Sequence, residues 1–131
     1  MAAFKPKILV VDDEQEARAG IAHSLRSKGY DVLEAATGGE VLARAKAEWP
    51  ALIILDIVLP DLPGTEVFDQ LRADPITKAI PILLLTAKPD IVNQVPSVRE
   101  KSEQYRFLEK PGRVEDLMKI IQDMLTGERT G

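Results

Sequence analysis

Leu52-Ile53-Ile54-Leu55-Asp56 constrains this chain more than any other stretch: four apolar residues run straight into one acid. A continuous apolar run this short, bounded by Pro50 and Pro60, reads as a strand buried on both faces. An acid inside such a strand would need a partner, so Asp56 is expected where the strand ends. Ligands of open α/β sheets bind at the carboxyl ends of the strands, which makes Asp56 the leading candidate for chemistry.

Ile8-Leu9-Val10-Val11 repeats the design and ends in Asp12-Asp13. Glu14-Gln15-Glu16 then opens a helical pattern with Ala17, Ile21 and Leu25 on one face, ended by Gly29. Tyr30 to Ala35 reads as a short strand, and a helix from about Gly39 to Trp49 presents Val41, Leu42 and Ala45 inward before Pro50. Pro60, Pro63 and Gly64 stiffen the loop after Asp56. Thr65 is expected to cap a short helix carrying Val67, Phe68 and Leu71, followed by a polar connection from Arg72 to Ala79. Pro81-Ile82-Leu83-Leu84-Leu85 reads as another buried strand, ending in Thr86-Ala87-Lys88. Between 89 and 104, Pro89 and Pro96 interrupt a helical spacing, so a broken or shortened helix is expected. Tyr105 to Glu109 alternates like an edge strand and leads into Lys110-Pro111-Gly112. A last helix from about Val114 places Val114, Leu117, Met118, Ile121 and Leu125 on one stripe, with Ile120 and Met124 widening the apolar arc toward a broad core contact or a partner patch.

Five strands alternating with five helical segments imply βαβ units, hence parallel strands and right-handed crossovers. With 131 residues, 45% hydrophobic and 29% charged, the chain fits one globular domain. A net charge of -4 argues against a nucleic-acid footprint across the chain, and the absence of cysteine excludes disulfides, thiolate metal sites and cysteine catalysis. With no apolar signal core and no bilayer-length segment, the expectation is a soluble cytoplasmic protein that engages no membrane.

In a parallel sheet all strand ends point one way, so Asp12, Asp13, Asp56, Thr86 and Lys110 are expected to converge on one edge. Three carboxylates cannot share a small site as bare anions. A hard divalent cation such as Mg2+, which takes carboxylates, waters and a phosphate, resolves this. A lysine suits a phosphate oxygen as a point charge, and a carboxylate can itself be the nucleophile, giving an aspartyl phosphate.

These motifs together, in order and at strand ends, resemble the receiver domain of two-component response regulators, of the CheY-like superfamily. The matching residues are Asp12-Asp13, Asp56 with the loop to Gly64, Thr86-Ala87 and Lys110-Pro111. The resemblance covers nearly the whole chain. It implies a flavodoxin-like, doubly wound five-stranded parallel sheet in the order 2-1-3-4-5 with helices on both faces. The chain, 1–131, is then a single receiver domain with its core at about 5–125 and a polar tail at 126–131. Asp56 would accept a phosphoryl group from a phosphohistidine of a histidine kinase or phosphotransfer protein. Asp12, Asp13, Asp56 and the backbone carbonyl of Val58 would hold Mg2+, with Mn2+ as a substitute, and Asp12 would act directly or through water. Lys110 would pair with Asp56 or the phosphoryl oxygens, the Thr86 hydroxyl would move to the phosphoryl group, and the Ala87 amide would help hold it. Phe107 sits at the switch-aromatic position and would turn into space left by Thr86. Such a domain is a signalling phosphoacceptor that catalyses only its own phosphorylation and dephosphorylation. Its downstream contact, a protein partner or a second copy, would use the fourth helix, fifth strand and fifth helix.

The chain departs from the family on that face: Glu100 to Gln104 replace a usual Gly-Ala pair, Pro96 interrupts the fourth helix, and Gly112 stands where an apolar residue is common. The departures imply a fourth helix that orders on phosphorylation or partner binding. Val58 and Lys88 flank the phosphoryl position, and a branched apolar side chain at Val58 excludes an attacking water, implying slow loss of the phosphoryl group. His23, the sole histidine, reads as a surface residue and not as the phosphodonor. Two other classes compete. A phosphatase with an aspartyl nucleophile would carry a second acid two residues on, where Val58 stands. A receiver-like binding module that is never phosphorylated would not need the complete acid, hydroxyl and lysine set. The chain reads either as a stand-alone regulator or as a receiver from a longer regulator or hybrid kinase.

Overall fold

The structure, a computed structural model, describes residues 5–86, 105–109 and 114–126. Thr86 and Tyr105 to Glu109 are described by their strands alone. The expected broken helix at 89–104, Lys88, the Pro111-Gly112 turn and the end of the polar tail lie outside the described residues.

Each apolar run becomes a strand: β1 (Lys7–Val11), β2 (Asp31–Ala35), β3 (Leu52–Asp56), β4 (Ile82–Thr86) and β5 (Tyr105–Glu109). All pairings are parallel, and the sheet is ordered β2-β1-β3-β4-β5. The helices are α1 (Gln15–Ser27), α2 (Val41–Glu48), α3 (Gly64–Ala73) and α4 (Val114–Thr126), with a 3-10 turn at Gly38–Glu40 ahead of α2. The α/β class and the parallel sheet agree with the expectation from sequence.

Every residue of β3 is buried, yet the run divides by alternation. Ile53 and Leu55 join Leu9, Val11, Ile82 and Leu84 against Val41, Ala45, Val67, Phe68 and Leu71 of α2 and α3. Leu52 and Ile54 join Ile8, Val10, Leu83 and Leu85 against Ala22, Leu25, Leu117 and Ile121 of α1 and α4. Successive side chains of a strand point to opposite faces, so a sheet covered on both sides reads as continuous hydrophobicity. Each fully buried Leu or Ile contributes about 1.5–3 kcal/mol, which fixes the register and therefore where each strand ends.

Gly29 closes α1 with φ of 92°. Its amide donates to the Arg26 carbonyl and that of Tyr30 to the Leu25 carbonyl, the paired bonds that a glycine in the left-handed region permits. Two expectations need correction. Thr65 does not cap α3: the helix begins at Gly64 with Pro63 before it, so Thr65 is already inside the first turn. The polar connection after α3 is largely exposed, as expected, but starts at Asp74 rather than at Arg72. Arg72 belongs to α3, is 7% exposed, donates from Nη1 to the carbonyls of Lys78 and Ile80 at 2.8 Å each, and lies 5.2 Å from the centroid of the Phe68 ring. Thr77 is buried and donates to the Leu71 carbonyl at 2.6 Å. One guanidinium thus satisfies two carbonyls of the connection, which otherwise stays at the surface.

Candidate functional site

The carboxyl ends of β1 and β3 lie side by side because Val11 pairs with Leu55. Asp12 follows β1 and is 1% exposed. It is held on three sides. Its amide donates to the Ala35 carbonyl at 3.1 Å, its Oδ1 accepts from the Glu14 amide at 3.0 Å, and its carbonyl accepts from Arg18 Nη1 at 2.8 Å. Asp13 is exposed. Asp56 closes β3, is 7% exposed, and accepts at Oδ1 from the Val58 amide at 3.0 Å.

Asp12, Asp13 and Asp56 each bring a carboxylate oxygen within 4.8 Å of the others. Like charges so close repel by on the order of 1 to 4 kcal/mol per pair, depending on screening by water. Three hard oxygen donors, two buried and one open to solvent, fit a divalent cation such as Mg2+, which accepts carboxylates and keeps several waters. The Val58 backbone lies beside them, tied to Asp56 by its own amide, while its side chain is 63% exposed at the mouth.

The loop from Asp56 to α3 is fixed at both ends. Ile57 extends β3 by donating to the Leu85 carbonyl at 3.0 Å, and the Gly64 amide donates to the Ile57 carbonyl at 2.6 Å. A methyl group on Gly64 would overlap the Asp56 carbonyl oxygen and the Ile57 Cα, so only glycine allows this approach. Midway, the Asp61 carboxylate accepts from the amides of Gly38 and Gly39, each at 2.8 Å. Those two amides, first Gly38 and then Gly39, hold the Asp61 carboxyl below the ordinary aspartate range.

Thr86 ends β4 one residue past Leu85, the partner of Asp56, and pairs with Glu109 of β5. Its backbone is thus at the same edge as the acids. Phe107 of β5 pairs with Leu84 of β4. Ala87 and Lys110 lie outside the described residues. His23 is exposed. The sequence pattern gave no prominence to Arg18, Asp61 or the close approach at Gly64. The Gly38-Gly39 pair, two small residues before an apolar helix face, was the available signal for Asp61. No comparable signal marks Arg18, which joins the Asp12 backbone carbonyl to the Glu34 carboxylate of β2.

A model of the response regulator receiver domain matches residues 8–122. The chain belongs to that family. Protein PilH of Pseudomonas aeruginosa is 36% identical over 92% of this chain and 98% of its own length. Among solved structures, chemotaxis response regulator CheY4 of Vibrio cholerae is 32% identical with a TM-score of 0.82, covering 92% of this receiver and 99% of that chain. The receiver domain of sensor histidine kinase PA1611 from Pseudomonas aeruginosa, with a magnesium ion coordinated in its active site cleft, is 28% identical with a TM-score of 0.77 over 94% and 99%. Of several transcriptional regulators that it matches, this receiver spans only 40% to 50% of the length. Its sheet and flanking helices thus have the flavodoxin-like architecture of CheY. Among the described residues no helix is long and apolar enough to cross a membrane.

Proposed function

We propose that this receiver accepts a phosphoryl group on Asp56 from a phosphohistidine of a histidine kinase or phosphotransfer protein. The observation that carries the reading is the triad of carboxylates within 4.8 Å, with Asp56 at the end of a wholly buried strand. An Asp56 carboxylate oxygen attacks phosphorus, the P–O bond forms, the P–N bond breaks, and the imidazole nitrogen keeps the electron pair. Asp12, Asp13, Asp56 and the Val58 carbonyl would hold Mg2+, or Mn2+ in its place. That ion supplies neutralisation of charge on the transferred group. The magnesium ion of the PA1611 receiver supports this assignment. Asp12 is fixed by Glu14 and Arg18, so it holds position without rearrangement.

The finer parts of the reading rest on the family. The whole chain, 1–131, acts as one domain with the five-stranded order 2-1-3-4-5, and Lys110 directly after the fifth strand meets the phosphoryl oxygens. Thr86 and the Ala87 amide hold the same oxygens, and Phe107 changes rotamer with Thr86. Catalysis is confined to the domain's own phosphorylation and dephosphorylation. The state of the site is passed in the cytoplasm to a protein partner or a second copy through the side of the domain that carries β5 and α4.

Intact mass after incubation with acetyl phosphate and Mg2+ tests the reading. One added phosphoryl group is expected, absent from Asp56→Asn and from a metal-free sample. No added mass in any sample, including one with a cognate kinase, would instead make this chain a receiver-like binding module.

A further inference from the structure

We propose that Arg18 is a positioning residue for the acid triad, acting through the Asp12–Asp13 peptide; this rests on the metal-binding reading above. The side chain of Arg18 is only 17% exposed. One arm of its guanidinium, Nη1, donates to the Asp12 carbonyl at 2.8 Å, and Nε donates to Glu34 Oε1 at 3.1 Å. Glu34 is anchored in β2, opposite Val10 of β1. Its other oxygen accepts from Arg26 Nη2 at 3.4 Å, so a second cation keeps it in place.

The planar guanidinium thus spans two elements. It fixes the Asp12 carbonyl relative to a strand of the sheet, and that carbonyl defines the plane of the peptide leading into Asp13. Asp12 has its own amide and carboxylate bonds, to Ala35 and from Glu14, and is buried. Asp13 is the exposed member of the triad, so the direction of its side chain depends most on the peptide plane that Arg18 holds. The role is geometric: Glu34 shares its single charge between Arg18 and Arg26, and a lysine at position 18, which keeps the charge, separates geometry from charge. A fork with donors fixed in one plane serves this bridge. The single ammonium of lysine lacks that paired geometry. Removing groups that orient metal ligands typically weakens metal binding by about 10- to 100-fold.

The test measures the initial rate of phosphoryl incorporation from acetyl phosphate across a Mg2+ titration, beside a thermal melt of each protein. Arg18→Ala and Arg18→Lys are both expected to raise the half-saturating Mg2+ concentration by on the order of tenfold, with the rate at saturating Mg2+ near wild type. Glu34→Ala, which removes the anchor without touching Arg18, moves the same value in the same direction by a smaller factor and decides the matter should Arg18→Ala not fold. A lower melting temperature with unchanged half-saturation would reduce Arg18 to a structural residue and overturn the proposal. Full wild-type affinity in Arg18→Lys would overturn the bridging geometry, leaving charge alone. If wild-type protein incorporates phosphoryl groups with no Mg2+ dependence, or none at all, the reading of the site itself fails and the proposal with it.

Discussion

At the residue scale the site is built by close approach. Asp56 is delivered to its position by burial, but the loop behind it exists only because position 64 has no side chain. Alanine there would drive a methyl group into backbone atoms of Asp56 and Ile57, which cannot swing aside as a flexible side chain could. Gly64→Ala is therefore expected to destabilise the domain by roughly 1–3 kcal/mol, the usual cost of overpacking. It should also blunt phosphoryl incorporation more than its melting temperature alone would predict, because the displaced atoms belong to Asp56 itself. Urea denaturation and the intact-mass assay, run on the same preparation, check both parts; wild-type stability in the variant would show that the loop can relax. The three acids were legible in the sequence because each lies at the end of an apolar run that must be buried, so its place is determined. Arg18 was not, because one of the two groups it joins is a backbone carbonyl across a turn, and carbonyls have no sequence.

At the scale of elements, the strands were legible for the same reason, and the loops less so. Thr65 has the right chemistry for a helix cap, yet the close approach at Gly64 starts the helix two residues earlier, with Pro63 in the cap position. The turn after α3 is largely exposed, as its polar sequence reads, but the buried arginine that answers two of its carbonyls was not legible there. The bond pair from Gly38 and Gly39 to Asp61 belongs to this scale, since it ties the start of the α2 region to the β3–α3 loop. The carboxyl of Asp61 lies below its ordinary value in the folded protein, so the charged form is favoured by folding. Its contribution is fully present above about pH 4, the unfolded aspartate value, and is lost as pH falls through the lower folded value. The amide proton shifts of Gly38 and Gly39 should hold steady from neutral pH down to about 4 and move together only below it. A shared midpoint above that would mean that the clamp does not bind the ionised carboxylate. Asp61→Ala should shift both amides at neutral pH and leave the Asp12 amide, bonded to Ala35, unchanged.

At the scale of the whole molecule, the sheet gathers mutually repelling groups at the ends of its central strands. Two hydrophobic clusters, one on each face, hold the strands in register, and that register forces three carboxylates to within 4.8 Å. A cation that the folded triad holds and the unfolded chain does not links metal binding to stability. A ligand that binds only the folded state stabilises it by RT ln(1 + [L]/Kd), about 1.4 kcal/mol at ten times Kd. For a domain of this size that is a rise in Tm of roughly 3–6 °C. Asp13→Asn removes one of the repelling charges and keeps the shape of the side chain. Because Asp13 is the exposed member, no buried bond is broken with it. The variant is therefore expected to melt a few degrees above wild type in metal-free buffer, and to gain little when Mg2+ is added. Calorimetric scans of both proteins, with chelator and with a Mg2+ series, read the two effects separately. If Asp13→Asn melts below wild type without metal, repulsion within the triad is outweighed by bonds that Asp13 makes. If it still gains as much from Mg2+ as wild type does, Asp13 is no ligand. Higher stability together with a lost metal response is the signature of carboxylates held together for binding at the expense of the fold.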